Sequence, residues 1–267
     1  MFLRIAFILT SLLFVNNNPL LDELRSDPDK YEKLWAEVTQ LENDALPQSA
    51  LQKVEEIFVL ALAEKNDQQI IKSTLYRLKY TNILEEDGYE KAILKLEMDM
   101  LKVDGVSKAI MHMLLATMYA DYYSNNAYLI NQRSVTFNFE LSDLKTWDKT
   151  RFQDKIIKNY LLALDDNLKS ISIEEYKDFV VNAKDSKNQF PTLYDFVAFT
   201  AVSRLSAGMG YYNYYYYDYD YYGYGNQNTD RITELAYLAN AEEFVKFPVV
   251  ADSLSYNYAA IKLYQKW

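Results

Sequence analysis

The residue best suited to moving a proton is a single histidine, His112. A Ser or Cys nucleophile normally needs such a base beside it. His112, however, stands between Met111 and Met113 in a strongly apolar run, and no Asp or Glu sits at a metal-ligand spacing from it. The pattern reads as a packed or interhelical hydrogen-bonding imidazole. Two carboxylate groups, Glu85-Glu86-Asp87 and Asp165-Asp166, have the composition of an acid/base pair, but both fall at predicted helix ends near lysines, where charge is normally solvated. Asp218-Tyr219-Asp220 with Asn213 and Asn226 offers oxygen ligands for weak calcium binding and lacks the EF-hand spacing. There is no cysteine, which removes thiol nucleophiles, disulfides and Cys-ligated metal. The dinucleotide and P-loop glycine patterns are absent too. The expectation is a non-enzyme with no cofactor, no bound metal and no catalytic residue.

Binding chemistry is concentrated in one place. From Tyr211 to Tyr224, ten of fourteen residues are tyrosine, with no helical period and with Gly208, Gly210, Gly223 and Gly225 around them. Tyr214, Tyr215, Tyr216, Tyr217 and Tyr219 form the candidate binding surface. Tyrosine faces stack on sugars or on one another, and their hydroxyls hydrogen-bond. The segment reads first as an exposed or disordered low-complexity insertion, with a glycan-stacking platform and self-association as the binding alternatives, between which the sequence does not choose.

The elements that would carry these residues are helices. Asp27-Pro28 opens the first, with Tyr31, Leu34, Trp35, Val38 and Leu41 on one stripe. After a break at Leu46–Ser49, a second helix turns Leu51, Val54, Ile57, Phe58 and Ala61 inward and Gln52, Lys53, Glu55 and Glu56 outward. A third carries Ile70, Ile71, Leu75, Leu78 and Ile83, and a fourth Tyr89, Ala92, Ile93, Leu96 and Met100. The fifth, Ser107 to about Tyr123, has the highest apolar content, and residues 125–141 read as an ordered loop. Further helices are predicted from Trp147 to Leu164, from Leu193 to Leu205 and from Ser253 to Lys266, with a capping box at Ser172–Glu175. Consecutive amphipathic helices with short breaks give an all-α fold, an antiparallel helical array of TPR-like architecture, although no 34-residue period is present.

Composition agrees: half of the 267 residues are apolar, while only 6 are Gly and 5 Pro, too few for a turn-rich sandwich or barrel. The formal charge of −10 makes nucleic acid an unfavourable partner. Met1–Arg4 followed by the apolar run Ile5–Val15 has the length of a secretory signal, and it is too short for a membrane span, which needs about 20 residues. The organisation expected is a signal peptide at 1–16, a helical array at 27–206, a Tyr-rich insertion at 207–229, and a helical continuation at 230–267 that ends in mid-pattern, as a truncated product would. The chain is therefore expected to be exported, periplasmic or extracellular, with no integral span once the signal is removed.

Several runs resemble, in their shared order, the N-terminal helical region of large alpha-2-macroglobulin-family proteins of Bacteroidetes-type bacteria. They include Tyr31-Glu32-Lys33-Leu34-Trp35, Leu46–Leu51, Leu75–Tyr80, Lys108–His112, Leu114-Leu115-Ala116, Thr146-Trp147-Asp148 and Pro191–Phe196. The resemblance covers about 30 to 205 and resumes near Glu242 to Gln265. It implies a secreted or periplasmic protein whose later β-domains trap proteases, through a Cys–Gln thioester in some members. This chain has no Cys, no run of sandwich strands and no bait-like segment, so no family site residue carries over. What remains is a scaffold or docking module for a protein partner or for downstream domains of the same polypeptide. Two rivals stand beside it: a free-standing exported helical-repeat binder, and a SusD-like glycan-binding protein, which is weakened by the missing lipoprotein Cys.

Overall fold

A computed structural model describes residues 28–134, 143–176, 190–206, 241–246 and 255–267. Nine α-helices occur among them: α1 (Lys30–Asn43), α2 (Pro47–Glu64), α3 (Asp67–Leu84), α4 (Gly88–Asp99), α5 (Gly105–Ile130), α6 (Lys149–Ala163), α7 (Leu193–Ser206), α8 (Ala241–Lys246) and α9 (Tyr256–Lys266). The only β pairing among the described residues is an isolated bridge between Ser172 and Thr192. The all-α array expected from the periodicity is the fold.

Local chemistry sets the helix ends. The Asn66 side chain accepts from Gln69 N at 3.2 Å, so the expected interruption between α2 and α3 is an N-cap. Asp148 caps α6 through Arg151 N at 2.8 Å, and Ser255 caps α9 through Tyr258 N at 3.3 Å. The Leu46–Ser49 break is shorter than read, because Pro47 occupies the first turn of α2, where its missing N–H costs nothing. The first helix starts at Lys30, and its N-cap Asp29 makes no side-chain cap bond. The Ser172–Glu175 box is present: Glu175 accepts from Ser172 N and Ser172 Oγ from Glu174 N, each at 3.3 Å, around the single 3-10 turn Ile173–Tyr176. α5 runs through Ile130, seven residues past its expected end, so 125–130 is helix and not loop. The remainder of that loop, 135–142, lies outside the described residues.

Each helix packs on its successor from α1 to α4, and α5 lies antiparallel to α6. Contacts also skip one helix: Trp35 of α1 packs on Tyr76 of α3 with ring centroids 4.8 Å apart, and α3 touches α5. Lys95 of α4 reaches Glu55 of α2 at 2.5 Å, and Lys155 of α6 reaches Glu97 of α4 at 3.4 Å. Odd- and even-numbered helices therefore form two rows, with α3 enclosed by four neighbours. This enclosure explains one misreading. α3 buries Ser73, Thr74, Arg77, Tyr80 and Thr81 as well as Ile70 and Ile71, while Ile83, expected inward, is exposed. A helix surrounded by others has no simple polar side, so its stripe is a poor guide.

Two apolar cores result, a small one joining α1, α2 and α3 around Trp35 and Ile57, and a large one from Phe58 to Leu263. Among the described residues no helix is long and apolar enough to cross a membrane. The turn between α3 and α4 is tight: a Cβ on Gly88 would stand 2.7 Å from the carbonyl oxygens of both Thr81 and Asn82. Gly88→Ala is expected to cost about 1–3 kcal/mol, because backbone must move to admit a methyl group. Urea denaturation followed by circular dichroism measures it, and an unchanged midpoint would contradict this packing.

Candidate functional site

The histidine is built into a helix interface. α5 presents His112 and α6 presents Asn159, with His112 Nδ1 and Asn159 Oδ1 at 2.8 Å. Asn159 Nδ2 donates to Lys155 O at 2.7 Å, which turns Oδ1 toward the imidazole and makes Nδ1 the proton donor. Burial pushes the His112 pKa below its ordinary value of 6.5, and Lys108 one turn away adds to the fall, against the Asn159 hydrogen bond. A neutral, half-buried imidazole that spends its proton on an amide joins two helices, as its apolar surroundings suggested.

The two carboxylate groups are not brought together as an acid/base pair. Glu85 pairs with Lys91 at 2.8 Å, and that lysine holds its pKa below the usual range. Asp87 pairs with Lys145 at 2.9 Å. Asp165 caps the 3-10 turn Asp166–Ser170 through Asn167 N, while Asp166 pairs with Lys169 at 3.0 Å and is lowered by it. Glu85 and Asp166 are thus held as anions, the opposite of what a general acid needs. Among the described residues no group of three or more His, Asp or Glu is placed to hold a metal ion. The proposed calcium ligands and the candidate surface of Tyr214, Tyr215, Tyr216, Tyr217 and Tyr219 lie outside the described residues.

A group of charges that the periodicity did not show occupies the middle of the array. Arg77, only 5% exposed, points from α3 with its guanidinium carbon 4.0 Å above the Phe58 ring. Its Nε lies 2.9 Å from Glu55 Oε2 of α2, and its NH1 donates to Asp99 at the end of α4. Lys95 joins Glu55, and Lys102 reaches Asp99 at 2.8 Å. Burial pushes the Glu55 carboxyl up, but Lys95 and Arg77 more than offset this and leave it below the usual range. The cluster ties α2, α3 and α4 together with every charge matched to another, which suits a clamp and leaves no acid, base or nucleophile to spare. Sequence reading placed Glu55 on an outward face. Its partners come from two other helices, and no spacing within one helix announces them.

The remaining surface of interest is apolar. On α7, Phe199 is exposed and packs on Phe190 with centroids 4.6 Å apart. Asp195, one turn before Phe199 on the same face, accepts a 2.9 Å hydrogen bond from the Trp267 indole N–H, and Trp267 stacks on Tyr264. Two exposed aromatic pairs, Phe190 with Phe199 and Tyr264 with Trp267, thus lie at the α7–α9 end, with Asp195 bonding α7 to Trp267. The outer face of α1, at the other end of the array, is Glu32, Lys33, Ala36, Glu37, Thr39 and Gln40. Compared with known proteins, the chain matches no family model, no curated protein and no solved structure.

Two measurements check these assignments. Arg77→Met should destabilise the fold by about 3–5 kcal/mol, because Glu55 and Asp99 lose a buried cation; a loss under about 1 kcal/mol in chemical denaturation would show the clamp is not formed. His112, whose pKa is lowered on folding, stabilises the fold above its ordinary 6.5, and that contribution is lost as pH falls through its folded pKa below 6.5. The melting temperature should therefore drop more between pH 7.5 and 5.5 in the wild type than in His112→Gln. Equal drops would contradict a neutral buried imidazole.

Proposed function

We propose that the chain is a non-catalytic docking module of TPR-like architecture, belonging to an exported protein of the alpha-2-macroglobulin type, periplasmic or extracellular. Its partner is a protein surface, either another polypeptide or downstream domains of its own. The observation that carries this reading is the difference between the two ends of the array. Helical arrays need a polar outer face on terminal helices to stay soluble alone. α1 has one. The α7–α9 end instead shows Phe199, Tyr264 and Trp267, each at least 40% exposed. Exposed aromatic residues of this kind are enriched where proteins meet.

Other features support the same direction. The charges best placed for chemistry are engaged between helices, which favours a structural use over catalysis. The ordered likeness to the N-terminal region of macroglobulin-family proteins supplies the kind of parent protein and the exported compartment. Protease trapping belongs to the family's later domains, so this module's share would be to hold or position them.

The test begins with the coding DNA beyond the Trp267 codon. An open frame running into β-rich macroglobulin domains is expected. In the longer product, hydrogen exchange should be slower on α7 and α9 than in the 267-residue chain, with α1 unchanged. An immediate stop codon would overturn the macroglobulin reading and leave a free-standing binding module. A longer product with no added protection on α7 and α9 would overturn the docking face.

A further inference from the structure

α9 lies against α6 and α7, and Tyr256 at its start packs on the core that α5 and α6 share. Two tyrosines of that core have hydroxyl protons whose destinations can be followed. Tyr123 of α5 donates to Asn131 Oδ1 at 2.5 Å. The hydroxyl oxygens of Tyr160 on α6 and Thr117 on α5 stand 3.1 Å apart. Thr117 has one proton and gives it to Met113 O at 2.9 Å, so Tyr160 is the donor in that pair. Both phenolic protons are therefore committed, and both phenolic oxygens keep the capacity to accept.

Tyr256 is the complement of this pair. Its hydroxyl is buried, and no protein group accepts its proton. A donor in that position gives up its bond to bulk water and gains none in return. Burial raises its pKa, and the Tyr123 and Tyr160 hydroxyls add to the rise, so both are its electrostatic neighbours although neither is within direct bonding distance. One donor and two acceptors, near but not in contact, form the set that a single water molecule satisfies. Such a water accepts from Tyr256 and donates its two protons to Tyr123 and Tyr160. Buried waters typically make about three bonds of this kind, to groups that the fold leaves unsatisfied. An anion does not suit the site, because it would face two accepting oxygens. A metal ion does not suit it either, because burial keeps all three phenols protonated. We propose that Tyr123, Tyr160 and Tyr256 hold a structural water that fastens the start of α9 to α5 and α6. The helix then has a polar tie at each end. Lys266 donates to Leu164 O and Trp267 to Asp195 at its C-terminal end, and the bridged hydroxyl serves its first turn.

Tyr256→Phe removes the donor and keeps the ring, so the sign of its effect on stability is informative. A buried hydroxyl without any partner is a burden, and removing it raises the midpoint of urea denaturation or leaves it unchanged. A bridged hydroxyl contributes to stability, and removing it lowers the midpoint. A lowered midpoint is expected. The second measurement is magnetic relaxation dispersion of the solvent, which counts waters held longer than the protein takes to tumble. The full-length variant should hold one fewer such water than the wild type. A midpoint that rises or stays would overturn the bridge, because the hydroxyl would then be bonded to nothing. A lowered midpoint with an unchanged count of held waters would overturn it as well, since Tyr256 would then bond Tyr123 or Tyr160 directly.

Discussion

A guanidinium buried at the centre of a helical array imposes conditions on everything around it. Arg77 lies on α3, a helix enclosed by α1, α2, α4 and α5, and its charge is separated from water. A lone buried cation costs several kcal/mol, so carboxylates must come from elsewhere, and they do, from α2 and from the end of α4. Those two helices are then held against α3, since Glu55 and Asp99 meet the same guanidinium, one at Nε and the other at NH1. Phe58 closes the group by placing its ring face against the guanidinium. Asp99 must end α4 where Arg77 can reach it, and α4 must begin against the C-terminal turn of α3.

The second half of the array is held by aromatic packing. Tyr119, Tyr122 and Tyr123 of α5 surround Phe152 of α6, with centroids 5.6–6.3 Å away, and Trp147 packs on both Tyr119 and Phe152. Tyrosine suits this position because its ring fills the core while its hydroxyl reaches a polar group at the edge. Tyr119 donates to Glu97 at 2.6 Å, Tyr123 to Asn131 at 2.5 Å, and Tyr160 shares a bond with Thr117 at 3.1 Å. Burial, reinforced by that second residue where it is Glu97, raises the Tyr119 pKa, so it stays a donor at any physiological pH. Part of the unusual tyrosine content is therefore structural, quite apart from the run between Tyr211 and Tyr224.

What could be read from the chain depended on whether one helix carried the whole signal. Trp35 and Val38, or Val54, Ile57 and Phe58, repeat at three and four residues and are buried as expected, because α1 and α2 each have a solvent side. His112 was legible from its apolar surroundings. Asn159, its partner, was not, since it lies 47 residues away on another helix. The same holds for Arg77 with Glu55 and Asp99. Charged residues on amphipathic helices are usually solvated, and only packing of three helices decides otherwise. The Phe190–Phe199 and Tyr264–Trp267 pairs were hidden because an exposed aromatic residue looks, in sequence, like a core residue.

The two ends of the array are held by different physics. α1 is fixed along its length, with Lys30 and Tyr31 bonded to Glu64 at one end and Glu42 to Lys79 and Tyr80 at the other. α9 has its bonds to the array near its last turn, and Ala259, Ala260 and Leu263 are its buried apolar residues, with Tyr256 packed against the same core. In an array, stability is close to a sum over neighbouring interfaces, so an end helix depends on the one face it shares. The Tyr256 hydroxyl, buried and bonded directly to no other residue at the first residue of α9, makes that end of the helix weaker than its bonded last turn.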